Sequence, residues 1–229
     1  MKWGVVTFPG SNCDYDCHYV LKDVLKEDAV YLWHKDRDLK GCDVIVLPGG
    51  FSYGDYLRCG AIARFAPVME EIVRFAKNGG IVIGICNGFQ ILTEAGLLPG
   101  ALIRNRSLQF ICKDVHLKVE NHDSLFTRRI GKGVIRAPIA HGEGCYHADD
   151  DLLERIEGEG CVAFRYASPD GRVIEEENPN GARNNIAGIL SFDRRVLGMM
   201  PHPERCCESI LNNTDGLAIF LSILDKSRG

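Results

Sequence analysis

Along the first 95 residues, short continuous apolar runs alternate with segments whose apolar side chains recur at helical spacing. The runs cover residues 3–8, 30–33, 43–47 and 81–85, and each has the length of a strand. Those at 43–47 and 81–85 lack polar alternation, the pattern of a strand covered on both faces. Between them, Tyr19, Val20, Val24 and Leu25 form one helical face, and Ile62, Phe65, Met69, Ile72, Phe75 and Ala76 mark a longer helix. Ser11 or Asn12 is placed to cap the first, and Asn78-Gly79-Gly80 ends the second. Residues 88–95 read as a third helix. Strand–helix repetition of this kind predicts right-handed βαβ units and a parallel sheet, with ligands outside the carboxyl ends of its strands.

The second half changes character. Residues 110–112, 115–119 and 134–139 alternate apolar with polar positions and predict antiparallel strands. A short helix over 149–156, a strand over 161–166 and a polar loop over 175–181 follow. A hairpin of 186–192 and 196–200 turns about Asp193-Arg194-Arg195, and an amphipathic helix over 215–226 closes the pattern. No repeat, low-complexity tract or long linker interrupts it. Residues 1–229 therefore read as one α/β domain, a parallel sheet flanked by helices with an added antiparallel region.

Composition narrows the function classes. Hydrophobic content is 45% and charged content 25% over 229 residues, ordinary for a globular chain with a sizeable core. The formal charge of −4 provides no basic field for nucleic acid or a membrane surface. The Arg128-Arg129 and Arg194-Arg195 pairs read as solvated faces. No apolar run reaches the eighteen residues of a membrane helix, and the first residues lack a signal-peptide pattern. The ten cysteines are thus expected to be reduced thiols in the cytoplasm. Cys13-x-x-x-Cys17 and Cys206-Cys207 lack zinc-ligand spacing, so no metal is expected.

The chemistry concentrates at Gly84-Ile85-Cys86-Asn87-Gly88, where a strand meets a helix. Small residues on either side of Cys86 permit a nucleophile elbow, with cysteine in place of serine. The helix N-terminus favours thiolate at that position. A base is offered by Pro201-His202-Pro203-Glu204: two prolines hold the segment extended, which places Glu204 on the same side as His202 to fix its tautomer. His141, in His141-Gly142-Glu143-Gly144, is the competing histidine, without an equally well placed orienter. The amides of Asn87 and of Gly50, in Pro48-Gly49-Gly50, can meet an oxyanion. Neither phosphate-binding glycine pattern occurs.

Residues 84–90 together with 201–205 resemble the Cys-His-Glu triad of class I glutamine amidotransferases. More narrowly, Pro9-Gly10-Ser11-Asn12-Cys13-Asp14, residues 48–58, Arg104-Asn105-Arg106-Ser107 with Phe110, and residues 140–144 resemble the glutaminase subunit of phosphoribosylformylglycinamidine synthase. The resemblance runs from about residue 5 to 205. It implies an open, mostly parallel, flavodoxin-like sheet, and hydrolysis of L-glutamine through a thioester on Cys86, with His202 as base and Glu204 as its orienter. It further implies an oxyanion hole of Gly50 and Asn87, and substrate contacts from Gln90, Asn105, Ser107, Phe110 and His141. Ammonia would pass to a large synthetase subunit, joined through a small bridging subunit. This chain would need no cofactor of its own; ATP and Mg would belong to the synthetase.

Overall fold

The apolar runs of the first half pair side by side as parallel strands in the computed structural model, which describes residues 1–225. In chain order the strands are β1 (Lys2–Thr7), β2 (Asp28–Trp33), β3 (Val44–Leu47), β4 (Ile81–Ile85), β5 (Ala101–Ile103), β6 (Ile111–Val119), β7 (Val134–His141), β8 (Cys145–His147), β9 (Val162–Ala167), β10 (Ile186–Leu190) and β11 (Val196–Met199). Nine of them form one sheet in the order β2-β1-β3-β4-β11-β10-β9-β6-β7, while β5 and β8 pair separately. From β2 to β11 every pairing is parallel; from β11 to β7 every pairing is antiparallel. Every residue of β3, β4 and β11 is buried, as their unbroken apolar runs require. Strand β7 alternates instead, burying Ile135, Ala137, Ile139 and His141 on one face.

The helices are α1 (Asp14–Tyr19), α2 (Pro67–Lys77), α3 (Asn87–Glu94), α4 (Asp150–Gly158) and α5 (Leu217–Leu224). Several depart from the sequence pattern for local reasons. The helix expected from Ile62 is broken into a 3-10 turn, Ala63–Phe65, and α2. Pro67 takes the first helical position and forces Ala66 extended, at φ −63° and ψ 143°. Neither Ser11 nor Asn12 caps α1; Cys13 occupies that position, and Ser11 Oγ accepts from the Phe8 amide at 3.0 Å instead. The segments expected at 110–112 and 115–119 merge into the one continuous strand β6, which begins at Ile111 and leaves Phe110 outside it. Its pairing with β7 runs unbroken through the polar Lys113 and Asp114. Residue 226, the expected end of the last helix, lies outside the described residues. Among the described residues no helix is long and apolar enough to cross a membrane.

Because β1, β3, β4 and β11 are parallel, their carboxyl ends share one sheet edge. The segments leaving that edge carry Cys13, Gly50, Cys86 and His202 respectively. Residues up to 189 positions apart thus reach one crevice.

Candidate active site

Cys86 sits between β4 and α3 with φ 51° and ψ −105°, a conformation that side chains other than glycine rarely adopt. Such strain costs on the order of 1–3 kcal/mol and persists only where neighbours enforce it. Here the Cys86 amide donates to the Met199 carbonyl at 2.8 Å, and its own carbonyl accepts from Phe89 at 3.0 Å and Gln90 at 3.2 Å. Gly88 makes this possible, since a Cβ there would stand 1.9 Å from the Leu47 carbonyl oxygen. The thiol donates to the Ala140 carbonyl at 3.7 Å.

His202 is anchored by its amide, which donates to Pro138 at 2.8 Å. Its ring Nδ1 lies 2.6 Å from Glu204 Oε1, and both side chains are buried. Glu204 does not reach it from an extended segment, as the proline pattern implies; Pro203–Arg205 is a 3-10 turn that carries the carboxylate back over the ring. The other nitrogen, Nε2, has no hydrogen-bond partner, and the thiols of Cys86 and Cys13 are the ring's further electrostatic neighbours. The convergence is tight: a Cβ added to Gly49 would lie 2.7 Å from His202 Cε1, 3.1 Å from Cys13 Sγ and 3.4 Å from Cys86 Cβ. Burial alone would lower the His202 pKa. The Glu204 charge, followed by the two thiols, outweighs it and carries the ring well above the ordinary imidazole range. At neutral pH the nucleophile therefore faces an imidazolium.

Two backbone amides beside Cys86 are left outside the regular hydrogen-bond pattern. Gly50 forms an antiparallel bridge with Ser11, made by Asn12 N–H to Gly49 at 3.2 Å and Phe51 N–H to Gly10 at 2.9 Å. That pattern leaves the Gly50 amide out of the ladder. Its φ of 145° excludes other residues, and a Cβ would meet the Asn12 nitrogen at 2.6 Å. The Asn87 amide opens α3, where no intrahelical acceptor exists and the helix dipole is positive. Asn87 also ties the elbow to the glycine-rich loop: its Oδ1 accepts from Ser52 N–H at 3.1 Å, and its Nδ2 donates to Asp55 at 3.1 Å and Gln90 at 2.9 Å.

Cys86 and Gly50 open on a cavity of about 230 Å³, walled by Phe51, Asp55, Cys59, Gln90, Phe110, Ala140 and residues 141–143. Phe110 stands half-exposed at the rim. Gln90 forms part of the wall, but both ends of its amide are engaged, accepting from Asn87 and donating to the Glu143 carbonyl at 2.6 Å. Asn105 and Ser107 do not line the cavity. Asn105 is fully buried behind it, bonded to the 141–144 loop, while Ser107 is exposed and accepts from the Gln109 amide at 3.3 Å. His141 does line it.

The sequence pattern assigns no site role to Cys13, Asp55, Cys59 or Glu143, which the fold brings to the crevice. Cys13 was accessible in principle, because it follows β1 at the same carboxyl edge that places Gly50 and Cys86. Arg205 holds it there, with Nη2 3.1 Å from its sulfur and Nε 3.1 Å from Asp16. Cys13, His202 and Glu204 bring donor atoms within 4.8 Å of one another, a set able to hold a thiophilic metal. The short His202–Glu204 contact instead commits those two groups to each other.

A cysteine elbow and a buried imidazole–carboxylate pair beside an amino-acid-sized cavity define the site of a class I glutamine amidotransferase. The chain belongs to the CobB/CobQ-like glutamine amidotransferase family, whose sequence profile matches residues 1–217. Within that family it is similar to phosphoribosylformylglycinamidine synthase subunit PurQ of Moorella thermoacetica, at 58% identity over 226 residues, spanning 98% of this chain and 96% of that protein. The PurQ subunit of Koribacter versatilis is 57% identical over 225 residues, spanning 98% and 97%. Among solved structures, PurLQS from Thermotoga maritima superimposes with a TM-score of 0.87 at 44% identity, covering 99% of this chain and 98% of that one.

Proposed function

We propose that this chain is the glutaminase subunit of phosphoribosylformylglycinamidine synthase, acting as one cytoplasmic amidotransferase domain. Cys86 Sγ, its proton having passed to His202, attacks the γ-carboxamide carbon of L-glutamine, and the Gly50 and Asn87 amides receive the oxyanion. His202, charged and oriented by Glu204, gives its proton to the departing nitrogen, and ammonia leaves. Neutral His202 then takes a proton from water, whose oxygen attacks the γ-glutamyl thioester; glutamate departs as the C–S bond breaks, and the Cys86 sulfur is left as thiolate beside the His202 imidazolium, as at the start. The ammonia serves a large synthetase subunit, joined through a small bridging subunit. That partner uses ATP and Mg to convert formylglycinamide ribonucleotide to the amidine in purine synthesis.

The observation that carries this reading is the buried His202–Glu204 pair facing a strained Cys86 at the mouth of the cavity. Reconstitution with the synthetase subunits tests it. Cys86→Ala should abolish glutamine-dependent synthesis and leave ammonia-dependent synthesis intact. Loss of both, or glutamine hydrolysis that needs no partner and feeds no synthesis, would refute the assignment.

A further inference from the structure

His141 is a buried histidine that the triad does not use. Its surroundings fix where its proton lies. Asn105 Nδ2 donates to the Gln109 carbonyl at 2.9 Å and to the His141 carbonyl at 2.8 Å, which sets the orientation of the amide. Asn105 Oδ1 consequently faces the ring, accepting from Gly144 N–H at 3.0 Å and lying 3.1 Å from His141 Nδ1. A carbonyl oxygen cannot donate, so Nδ1 carries the proton and Nε2 carries a lone pair. Burial, then the charge of His202, holds the His141 pKa down at about 4, so the ring stays neutral.

That lone pair has no partner. His141 is 3% exposed, its Nε2 lacks a hydrogen bond, and the residue lines the cavity that holds Cys86. A buried acceptor left unsatisfied is unfavourable unless something brings it a donor. The position within the cavity indicates which donor. Ala140, the adjacent residue, touches the nucleophile through its carbonyl, which puts His141 at the reacting end. Asp55 and Glu143 line the same cavity and offer acidic groups, whereas a neutral lone pair matches a neutral N–H.

We propose that His141 Nε2 accepts an N–H from the γ-carboxamide of bound glutamine, making His141 the residue that selects amide over acid and ester at the Cys86 site. The inference rests on the glutaminase reading. The product carboxylate would bring an oxygen lone pair against Nε2, so the same contact that holds the amide disfavours glutamate. Asn105 is the positioning residue that sets the tautomer.

The test compares hydrolysis of L-glutamine and of its γ-methyl ester by the full synthase complex. His141→Leu should lower the amide-to-ester ratio of kcat/KM by about 10–100-fold, the effect of one unmade buried hydrogen bond. His141→Gln, which returns an acceptor oxygen, should recover most of that ratio. Equal losses on amide and ester would overturn the proposal. A measurement independent of those variants uses Cys86→Ala, which binds glutamine without reacting. The 15N resonance of His141 Nε2 should begin in the unprotonated range and move upfield with L-glutamine but not with L-glutamate. A protonated Nε2, or no response to glutamine, would overturn it as well. Absence of glutamine hydrolysis by the wild-type complex is a separate result, and would refute the glutaminase reading itself.

Discussion

Acid should destabilise this fold through His141, by an amount that follows from its environment. The ring pKa is about 4 in the folded chain against 6.5 for an ordinary imidazole, because burial and then the His202 charge disfavour its ionised form. Between those values the unfolded chain binds a proton that the folded chain refuses, so stability falls as pH drops. Integrating over the shift gives a loss of about 2 kcal/mol between pH 7.5 and 5, approaching about 3 kcal/mol at pH 4. His202 works in the opposite direction: its raised pKa stabilises the fold fully below about 6.5, and that contribution disappears as pH rises through the folded value. The comparison that isolates His141 is therefore wild type against His141→Gln, in which His202 is retained. Urea unfolding at pH 7.5 and 5, followed by fluorescence of the buried Trp3, supplies the two stabilities. Wild type should lose about 2 kcal/mol more than the variant over that interval. Equal losses would show that the buried ring is not held neutral, and would remove the basis for its role as an acceptor.

Two further outcomes follow from the geometry. Glu204→Gln removes the charge that opposes burial at His202, so the alkaline limb of the kcat/KM profile should move to lower pH, with kcat reduced about 10²–10⁴-fold; an unmoved limb in steady-state glutamate release would exclude Glu204 as the source of the shift. Gly88→Ala places a methyl group against the Leu47 carbonyl, a backbone atom that cannot rotate away, and should cost about 3 kcal/mol or more in urea unfolding; a loss under about 1 kcal/mol would mean that α3 can shift away from β3 without strain.

What the sequence revealed were features carried by adjacent residues. The runs at 43–47 and 81–85 disclose buried parallel strands, because a strand covered on both faces cannot alternate. The elbow is legible for the same reason: strand, small residues, thiol and helix fall within a dozen positions. His202 is conspicuous through its flanking prolines. Features that depend on chain crossings were hidden. Nothing near Cys13 announces that Arg205 will hold it beside His202. The sequence brings Asn105 close to the site, but not its commitment to the 141–144 loop, which rests on hydrogen bonds spanning 36 positions or more. Ser107 falls in the same stretch, yet its side chain turns outward. Local propensity also lost to specific competition. Pro67 divides a helix whose apolar face continues through the break, and three-residue strands such as β5 and β8 are too short to show a period.

In this mechanism Cys86, and no other of the ten cysteines, forms the bond to substrate. Mixing the complex with L-glutamine, quenching with acid within a turnover and mapping the peptides by mass spectrometry tests it directly. A γ-glutamyl adduct is expected on the peptide carrying Cys86, and none in Cys86→Ala. An adduct on Cys13 or Cys59, or glutamate release from the Cys86→Ala complex at the wild-type rate, would contradict it.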